Sequence, residues 1–271
     1  MMVTPKNFTV NFFEEYLKPE NLSKLNLVKH KSILFLACED LDEFNQQKKR
    51  IEKDYRNITA GYWPILDKSY WISPFAPTRE LKRIHEELEM IDRKTPILLD
   101  MELPLRVRSY FRNLFLFGRH KQMIRQIVKL ADEKELDMYY CENPSTSKKK
   151  LKLLRFLSVS LNPEKHKGKL LVMYYTSMKG EKTKTRIDEI LKKFAKEYKK
   201  RLVLGLGTTA TGQMGDEPKI SLEHFQRDLQ FSKRLGVNEV FVFRLGGHDE
   251  KYQEIIEKEM KKTIVKSEYI Q

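Results

Sequence analysis

The feature that most constrains the fold of this chain is a regular alternation of short apolar runs with longer amphipathic segments. The apolar runs have the length of strands, and in the segments between them apolar residues recur at helical spacing. Seven such strand–helix units follow one another without a linker or a low-complexity stretch. The strands are expected at 32–40, 59–66, 96–104, 136–143, 168–177, 201–209 and 238–247.

This alternation predicts a parallel sheet that is covered by helices. Near-continuous apolar runs are typical of strands that are buried on both faces. Seven or eight units in 271 residues indicate an α/β fold of the (β/α)8 TIM barrel type, complete or incomplete. A doubly wound open sheet is the alternative, but no Gly-x-Gly-x-x-Gly follows the first strand, which disfavours a dinucleotide-binding sheet.

The source of an eighth strand is open at the level of the sequence. Either residues 263–270 or the N-terminal 32 residues could supply it. We expect residues 1–271 to form a single barrel domain, with residues 1–31 as an N-terminal extension or cap.

Charge and composition narrow the classes of partner. The chain has 52 Lys and Arg against 38 Asp and Glu, and the net charge of +14 suits an anionic partner or a solvated lysine-rich surface. No apolar run of about 18 residues predicts a membrane span, and the N-terminal region is unlike a signal peptide. We therefore expect a cytoplasmic protein with no membrane span.

The two cysteines, Cys38 and Cys141, lie far apart in the sequence and form no Cys-x-x-Cys pair. We expect both thiols to be reduced and without a catalytic role. No metal and no cofactor is expected from them.

In barrels of this kind the active site lies at the carboxyl ends of the strands. Acidic and aromatic side chains dominate those positions here. In chain order they are Glu39, Asp40, Tyr62, Trp63, Asp67, Asp100, Glu102, Glu142, Tyr174 and Tyr175, with Arg244 and His248 after the last predicted strand. Asp40 is interpreted instead as the N-cap of the next helix, with Glu43 as its capping-box partner.

Asp100 and Glu102 are the strongest catalytic candidates because they interrupt an otherwise apolar strand, "PILLDMELP". Residues two apart on a strand point to one face, roughly 6–7 Å apart along the backbone. Like charges held close together raise one pKa, which makes a general acid available near neutral pH. The structural alternative is a pair bonded to Arg106 or Arg244.

Both tryptophans of the chain lie in "GYWPILDKSYWISPF", and each follows a tyrosine. A sugar ring has an apolar face that stacks on aromatic rings and a hydroxyl rim that needs polar partners. This stretch therefore predicts a sugar-stacking platform, with packing inside the barrel as the alternative. The platform would consist of Tyr62, Trp63, Tyr70 and Trp71, with Asp67 binding hydroxyls.

The stretches "LLDMELP" and "VMYYTS" resemble the strand ends of TIM-barrel glycoside hydrolases of the chitinase and barrel-lysozyme type. The resemblance implies an oligosaccharide substrate, with Glu102 as the catalytic acid and Asp100 as its helper. It also implies Tyr174 or Tyr175 as the stabilising tyrosine. Glu142 is the other candidate for a second carboxylate. Glu39, Tyr175, Arg244 and His248 join the aromatic stretch as substrate-binding candidates.

Three other functions stay open at this point. A barrel acting on a phosphosugar or phosphodiester would use the glycines of 205–212 and 244–248 to bind phosphate. A hard-cation site would draw on Glu39, Glu142 and Asp100. A non-catalytic barrel that binds sugar or nucleic acid would need the aromatic stretch but not Glu102.

Overall fold

The computed structural model describes residues 8–66, 71–103, 114–142, 148–160, 166–178, 181–207, 209–212, 215 and 218–262. Its strands are β1 (Thr9–Glu14), β2 (Ser32–Cys38), β3 (Ile58–Pro64), β4 (Ile97–Asp100), β5 (Met138–Glu142), β6 (Lys169–Tyr174), β7 (Leu202–Leu206) and β8 (Glu239–Phe243). The helices of the described residues are α1 (Pro19–Leu22), α2 (Leu41–Asp54), α3 (Thr78–Met90), α4 (Phe117–Glu133), α5 (Lys148–Phe156), α6 (Glu181–Tyr198), α7 (Leu222–Arg234) and α8 (Glu250–Lys261).

The eight strands form a closed parallel barrel in sequence order, with β1 hydrogen-bonded to both β2 and β8. The (β/α)8 barrel predicted from the sequence is therefore confirmed. Its eighth strand comes from the N-terminal segment, so residues 9–14 are part of the barrel wall and the expectation of an extension or cap was wrong for them. The other candidate, residues 263–270, lies outside the described residues.

The alternation of side chains along each strand divides the core into two layers. In β5, Tyr139 and Cys141 point into the lumen, whereas Met138 and Tyr140 pack outward against the helices. Aromatic rings fill the lumen, and the rings of Phe35 and Phe241 stack with 4.9 Å between their centroids.

Polar side chains close the amino end of the lumen. Glu239 accepts hydrogen bonds from Asn11 and from the hydroxyl of Tyr139, both at 2.9 Å. The Nζ of Lys169 lies 3.1 Å from the Glu239 carboxylate and also hydrogen-bonds to Tyr139. The charges of Glu239 and Lys169 at this end of the lumen are thus paired.

The first long helix begins as the sequence predicted. Asp40 accepts a hydrogen bond of 2.8 Å from the backbone N–H of Glu43, and the Glu43 carboxylate accepts one of 2.8 Å from the N–H of Glu39. This capping box fixes the chain immediately after β2. Within the described residues, no helix has both the length and the apolar character to cross a bilayer.

Candidate active site

Two carboxylates and a thiol meet where β4 and β5 end. Oxygens of Asp100 and Glu102 and the Sγ of Cys141 all lie within 4.8 Å of one another. Asp100 is paired with Cys141 in the register of the two strands, and Glu102 follows two residues after the end of β4. The same-face interpretation of Asp100 and Glu102 is therefore confirmed by the geometry.

Asp100 is the buried member of this cluster, with 5% of its surface exposed. Its burial raises its pKa well above the ordinary range, and the negative charge of Glu102 raises it further. A hydrogen bond from the thiol of Cys141 acts in the opposite direction. The Oδ1 of Asp100 is buried and has no hydrogen-bond partner among the described residues, so this oxygen can carry the proton that the raised pKa implies.

Tyr175 and Glu15 complete the acidic side of the mouth. Burial raises the pKa of the Tyr175 hydroxyl, and the charges of Cys141, Asp100 and Glu15 raise it further, in that order. The Tyr175 ring packs on Phe243, with 5.6 Å between the ring centroids. The hydroxyl therefore stays protonated and is a hydrogen-bond donor beside the carboxylates.

The glycine-rich loop after β7 lies over this region. A Cβ at Gly212 would be 2.7 Å from the Phe243 ring and 3.2 Å from a carboxylate oxygen of Glu15. A Cβ at Gly207 would be 2.9 Å from the side chain of Ile220. These two glycines are therefore needed for close packing of the loop against the barrel mouth.

Comparison with known proteins bears on the fold. No protein-family model matches the sequence, and no curated protein matches it either. The glycoside hydrolase domain of PgaB (BpsB) from Bordetella bronchiseptica superposes with a TM-score of 0.59 at 12% identity, over 96% of this chain and 100% of that one. A chitinase from Chromobacterium violaceum gives 0.58 at 10% identity over 94% and 100% of the two chains.

A family 18 chitinase, ChiB of Flavobacterium johnsoniae, gives a TM-score of 0.58 at 11% identity and covers 94% of each chain. A class V chitinase of Nicotiana tobaccum, solved in complex with NAG4, gives 0.53 at 11% identity over 94% of this chain and 99% of that one. This chain has the fold of the chitinase-type barrels. The resemblance inferred from its strand ends is confirmed at the level of fold.

In this barrel, the predicted aromatic platform is not assembled. Tyr62 points outward, is fully buried and donates a hydrogen bond of 2.7 Å to Glu87 of α3. Trp63 points into the lumen, with its ring 5.8 Å from that of Phe13 in an edge-on arrangement. Because neighbouring strand residues face opposite sides, the two rings cannot line one surface.

The rest of the platform lies in the following loop. Asp67 and Tyr70 lie outside the described residues. Trp71 is half-buried, and the next backbone N–H, that of Ile72, donates a hydrogen bond of 2.6 Å to the carbonyl of Asp100. Trp71 therefore lies beside the end of β4 and is the more exposed of the two tryptophans.

Two of the predicted catalytic residues face the helices instead of the mouth. Glu142 is buried and accepts a hydrogen bond of 2.9 Å from the Ser160 hydroxyl. Tyr174 stacks on Phe231 and donates a hydrogen bond of 2.5 Å to Asp188. Both assignments were wrong because these residues fall on the outward positions of β5 and β6.

Three predicted binding residues are also placed apart from the acidic cluster. Arg244 lies 2.9 Å from Glu14 in an ion pair, and its guanidinium packs on the ring of Tyr16. His248 is buried against Phe12, and burial is the main cause that lowers its pKa to about 4. Both are structural, and the alternative in which Arg244 pairs with Asp100 is excluded. Glu39 lies exposed after β2.

The structure adds Cys141 and Glu15 to the predicted site. Cys141 was set aside as an ordinary buried thiol because its contact with Asp100 depends on the register between two strands. Glu15 was missed because β1 was not assigned. The proposed hard-cation set of Glu39, Glu142 and Asp100 is not brought together, whereas Asp100, Glu102 and Cys141 are close enough to ligate a divalent cation.

Proposed function

We propose that this chain is a glycoside hydrolase in which Glu102 is the general acid. The observation that carries the proposal is the pair of carboxylates at the end of β4, one buried with a raised pKa and one partly exposed. Two carboxyl groups this close do not both ionise easily, so the pair retains one proton as the pH approaches neutrality.

The difference in exposure between the two carboxyl groups supports a different role for each. Asp100 is buried and faces Cys141, whereas Glu102 is open to the mouth of the barrel. Glu102 is therefore the group that delivers the shared proton to a glycosidic oxygen. Before cleavage, Asp100 holds the shared proton whenever Glu102 is ionised. Cleavage transfers that proton to the leaving group, and the water that attacks the anomeric carbon gives a proton back to the carboxylate pair.

The hydroxyl of Tyr175 and the carboxylate of Glu15 supply the remaining polar groups. A tyrosine that stays protonated can donate a hydrogen bond to substrate oxygens as charge develops in the transition state. Carboxylates beside the anomeric carbon stabilise an oxocarbenium-like transition state. Asp100 and Glu102 lie within 4.8 Å of each other, closer than the roughly 5–5.5 Å of a retaining acid–nucleophile pair, so we treat them as one proton-sharing unit.

The acidity of the site favours a neutral oligosaccharide over a phosphorylated substrate. Asp100, Glu102 and Glu15 together would repel a phosphate group. Gly207 and Gly212 are occupied in packing, and Arg244 is paired with Glu14. Among the fold neighbours, the chitinases and the NAG4 complex make oligosaccharides of N-acetylglucosamine the first substrates to test.

The decisive experiment is an assay of the full chain against N-acetylglucosamine oligomers, with product analysis by mass spectrometry. Cleavage that is lost in Glu102→Gln and retained in Glu142→Gln supports the proposal, because Glu142 is a buried acid of the same barrel that faces away from the mouth. Cleavage that survives Glu102→Gln assigns the acid to another residue and refutes the proposal.

A further inference from the structure

An exposed apolar surface borders the barrel mouth. Phe115 and Leu116 precede α4 and are 99% and 37% exposed, and Leu153 and Phe156 of α5 are 54% and 60% exposed. Large apolar side chains with so little cover are unusual on a soluble protein, where extended apolar patches mark interaction sites.

Ring contacts join the two segments into one surface. The ring of Phe117 lies 6.3 Å from that of Phe156 and 5.7 Å from the ring of buried Phe75. We call Phe115, Leu116, Phe117, Leu153 and Phe156 the apolar rim.

The first turn of α4, which begins at Phe117 directly after Phe115 and Leu116, is firmly attached to the barrel. His120 is fully buried, and its ring nitrogens lie 2.7 Å from the hydroxyl of Thr78 and 3.0 Å from the carbonyl oxygen of Pro74. The rim residues at the start of α4 are therefore held in a fixed position on the barrel.

The rim lies in the same sector of the mouth as the acidic cluster. Phe75 belongs to the segment after β3, whose residue Ile72 is hydrogen-bonded to Asp100. The chain leaving α5 returns to the end of β5, where Ser160 binds Glu142. The rim thus borders the part of the mouth formed by β3, β4 and β5.

Cations surround the rim. The Nζ of Lys121 lies 3.8 Å from the centroid of the Phe156 ring, and Arg119, Arg125 and Lys152 are exposed nearby on α4 and α5. None of these four side chains forms an ion pair with a described residue. Partial burial lowers the pKa of Lys121, and the charge of Arg125 lowers it further.

We propose that the apolar rim docks the barrel mouth onto an anionic lipid bilayer. Exposed apolar side chains flanked by cations match the apolar interior and acidic headgroups of such a surface. The side chains of Phe115, Leu153 and Phe156 are more than half exposed, as expected of groups that insert into a lipid surface. The Leu side chains of the rim and fully exposed Phe115 also lack the polar groups that read nucleic-acid bases.

The inference goes beyond the proposed hydrolase activity, and its test uses no glycoside. The full chain is sedimented with vesicles of phosphatidylcholine alone and with added phosphatidylglycerol, at low and high salt. The variants are Phe115→Ser with Phe156→Ser, Lys121→Gln, and Met90→Ser as the control. Met90 is 69% exposed at the carboxyl end of α3, away from the rim.

Binding to the phosphatidylglycerol vesicles is expected for the parent chain and for Met90→Ser. The double Phe variant should bind at least about tenfold more weakly, since each apolar side chain adds to interfacial partitioning. Lys121→Gln should bind less tightly at low salt. In Phe115→Trp, an emission band that moves to shorter wavelength with vesicles would place this position in the apolar layer.

Three results would overturn the proposal. One is no vesicle binding by the parent chain. Another is binding that high salt abolishes but that the Phe substitutions leave unchanged, which would mean adsorption by net charge alone. The third is binding that a DNA oligonucleotide displaces completely with no emission shift in Phe115→Trp, which would assign the surface to nucleic acid.

Discussion

The thiol of Cys141 donates a hydrogen bond to the carboxylate of Asp100, across the register that pairs the two residues on β5 and β4. This is the one contact from a described side chain that lowers the pKa of Asp100, against the opposing effects of burial and of Glu102. Cys141 therefore belongs to the site as a residue that positions Asp100, although it does not face the mouth itself.

The first prediction follows from that contact. Cys141→Ala removes the donor, so the pKa of Asp100 should rise further and the basic limb of the kcat/KM profile should move to higher pH. Cys141→Ser keeps a donor and should shift the profile less. Cys38→Ser is the matched control, because Cys38 is an equally buried thiol in the outer layer. Equal profiles for Cys141→Ala and Cys38→Ser would contradict this role.

The second prediction concerns stability and pH. The pKa of Asp100 is raised in the folded state above its ordinary value of 3.8, so between these two values the native chain holds a proton that the unfolded chain has released. The free energy of unfolding should therefore fall as pH rises through this interval. Asp100→Asn should remove that fall and raise the melting temperature at neutral pH. Urea unfolding at several pH values measures the free energy of unfolding. If its dependence on pH is the same in Asp100→Asn as in the parent chain, Asp100 is ionised in the folded protein.

The third prediction concerns Glu102. Glu102→Gln keeps the size of the side chain but removes the transferable proton, and glycoside cleavage should fall by about 10²–10⁴-fold. Substrates with an activated leaving group should lose less. The melting temperature should hold or rise, because the repulsion with Asp100 is relieved. A strong loss of stability in Glu102→Gln would instead indicate a structural ion pair.

The fourth prediction separates the two adjacent tyrosines. Tyr175→Phe should lower kcat/KM by at least about tenfold with little change in stability, because it removes a donor beside the carboxylates. Tyr174→Phe should leave turnover unchanged and cost about 0.5–1.5 kcal/mol of stability, because it removes the hydrogen bond to Asp188. The reverse pattern in kinetics and thermal unfolding would mean that the face assignment of β6 is wrong.

The fifth prediction distinguishes the two tryptophans by fluorescence. Trp63 is 3% exposed in the lumen, and Trp63→Ala should cost about 3–5 kcal/mol of stability as a large cavity opens. Trp71 is half-buried, so Trp71→Ala should leave the fold intact. If oligosaccharide binds at the mouth, it should alter the emission of the parent chain and not that of Trp71→Ala. If oligosaccharide changes the emission of Trp71→Ala as much as that of the parent chain, the binding site lies elsewhere.

The barrel could be predicted from the sequence because its signal is repeated along the chain. Each strand is an apolar run, and each long helix carries one apolar stripe, so errors of two or three residues at an end do not change the fold. The predicted strand 168–177, for example, ends at Tyr174 in the structure. Asp100 and Glu102 were also predictable. Carboxylates within a buried apolar strand are energetically costly, so their presence there indicates a specific role.

The remaining site residues could not be predicted because their roles depend on which way a side chain points. Tyr62 with Trp63, and Tyr174 with Tyr175, are adjacent pairs in which one ring faces outward and the other inward or to the mouth. A shift of one residue exchanges those faces, and the sequence does not fix the strand start that closely. The segment 9–14 was not assigned as a strand because two polar residues within it, Asn11 and Glu14, interrupt the apolar run.

The pairing of β1 with β8 also has a consequence for how the molecule is made. Asn11 and Glu239, which bond across that seam, are 228 residues apart in the chain. On a ribosome, β1 emerges long before β8, so the wall cannot be sealed until residues 239–243 have been synthesised. Contacts this distant in sequence slow folding, and until they form the open edges of β1 and of the last strand to emerge are exposed to other chains. Synthesis in a crowded cell should therefore leave this protein dependent on chaperones during the interval before closure.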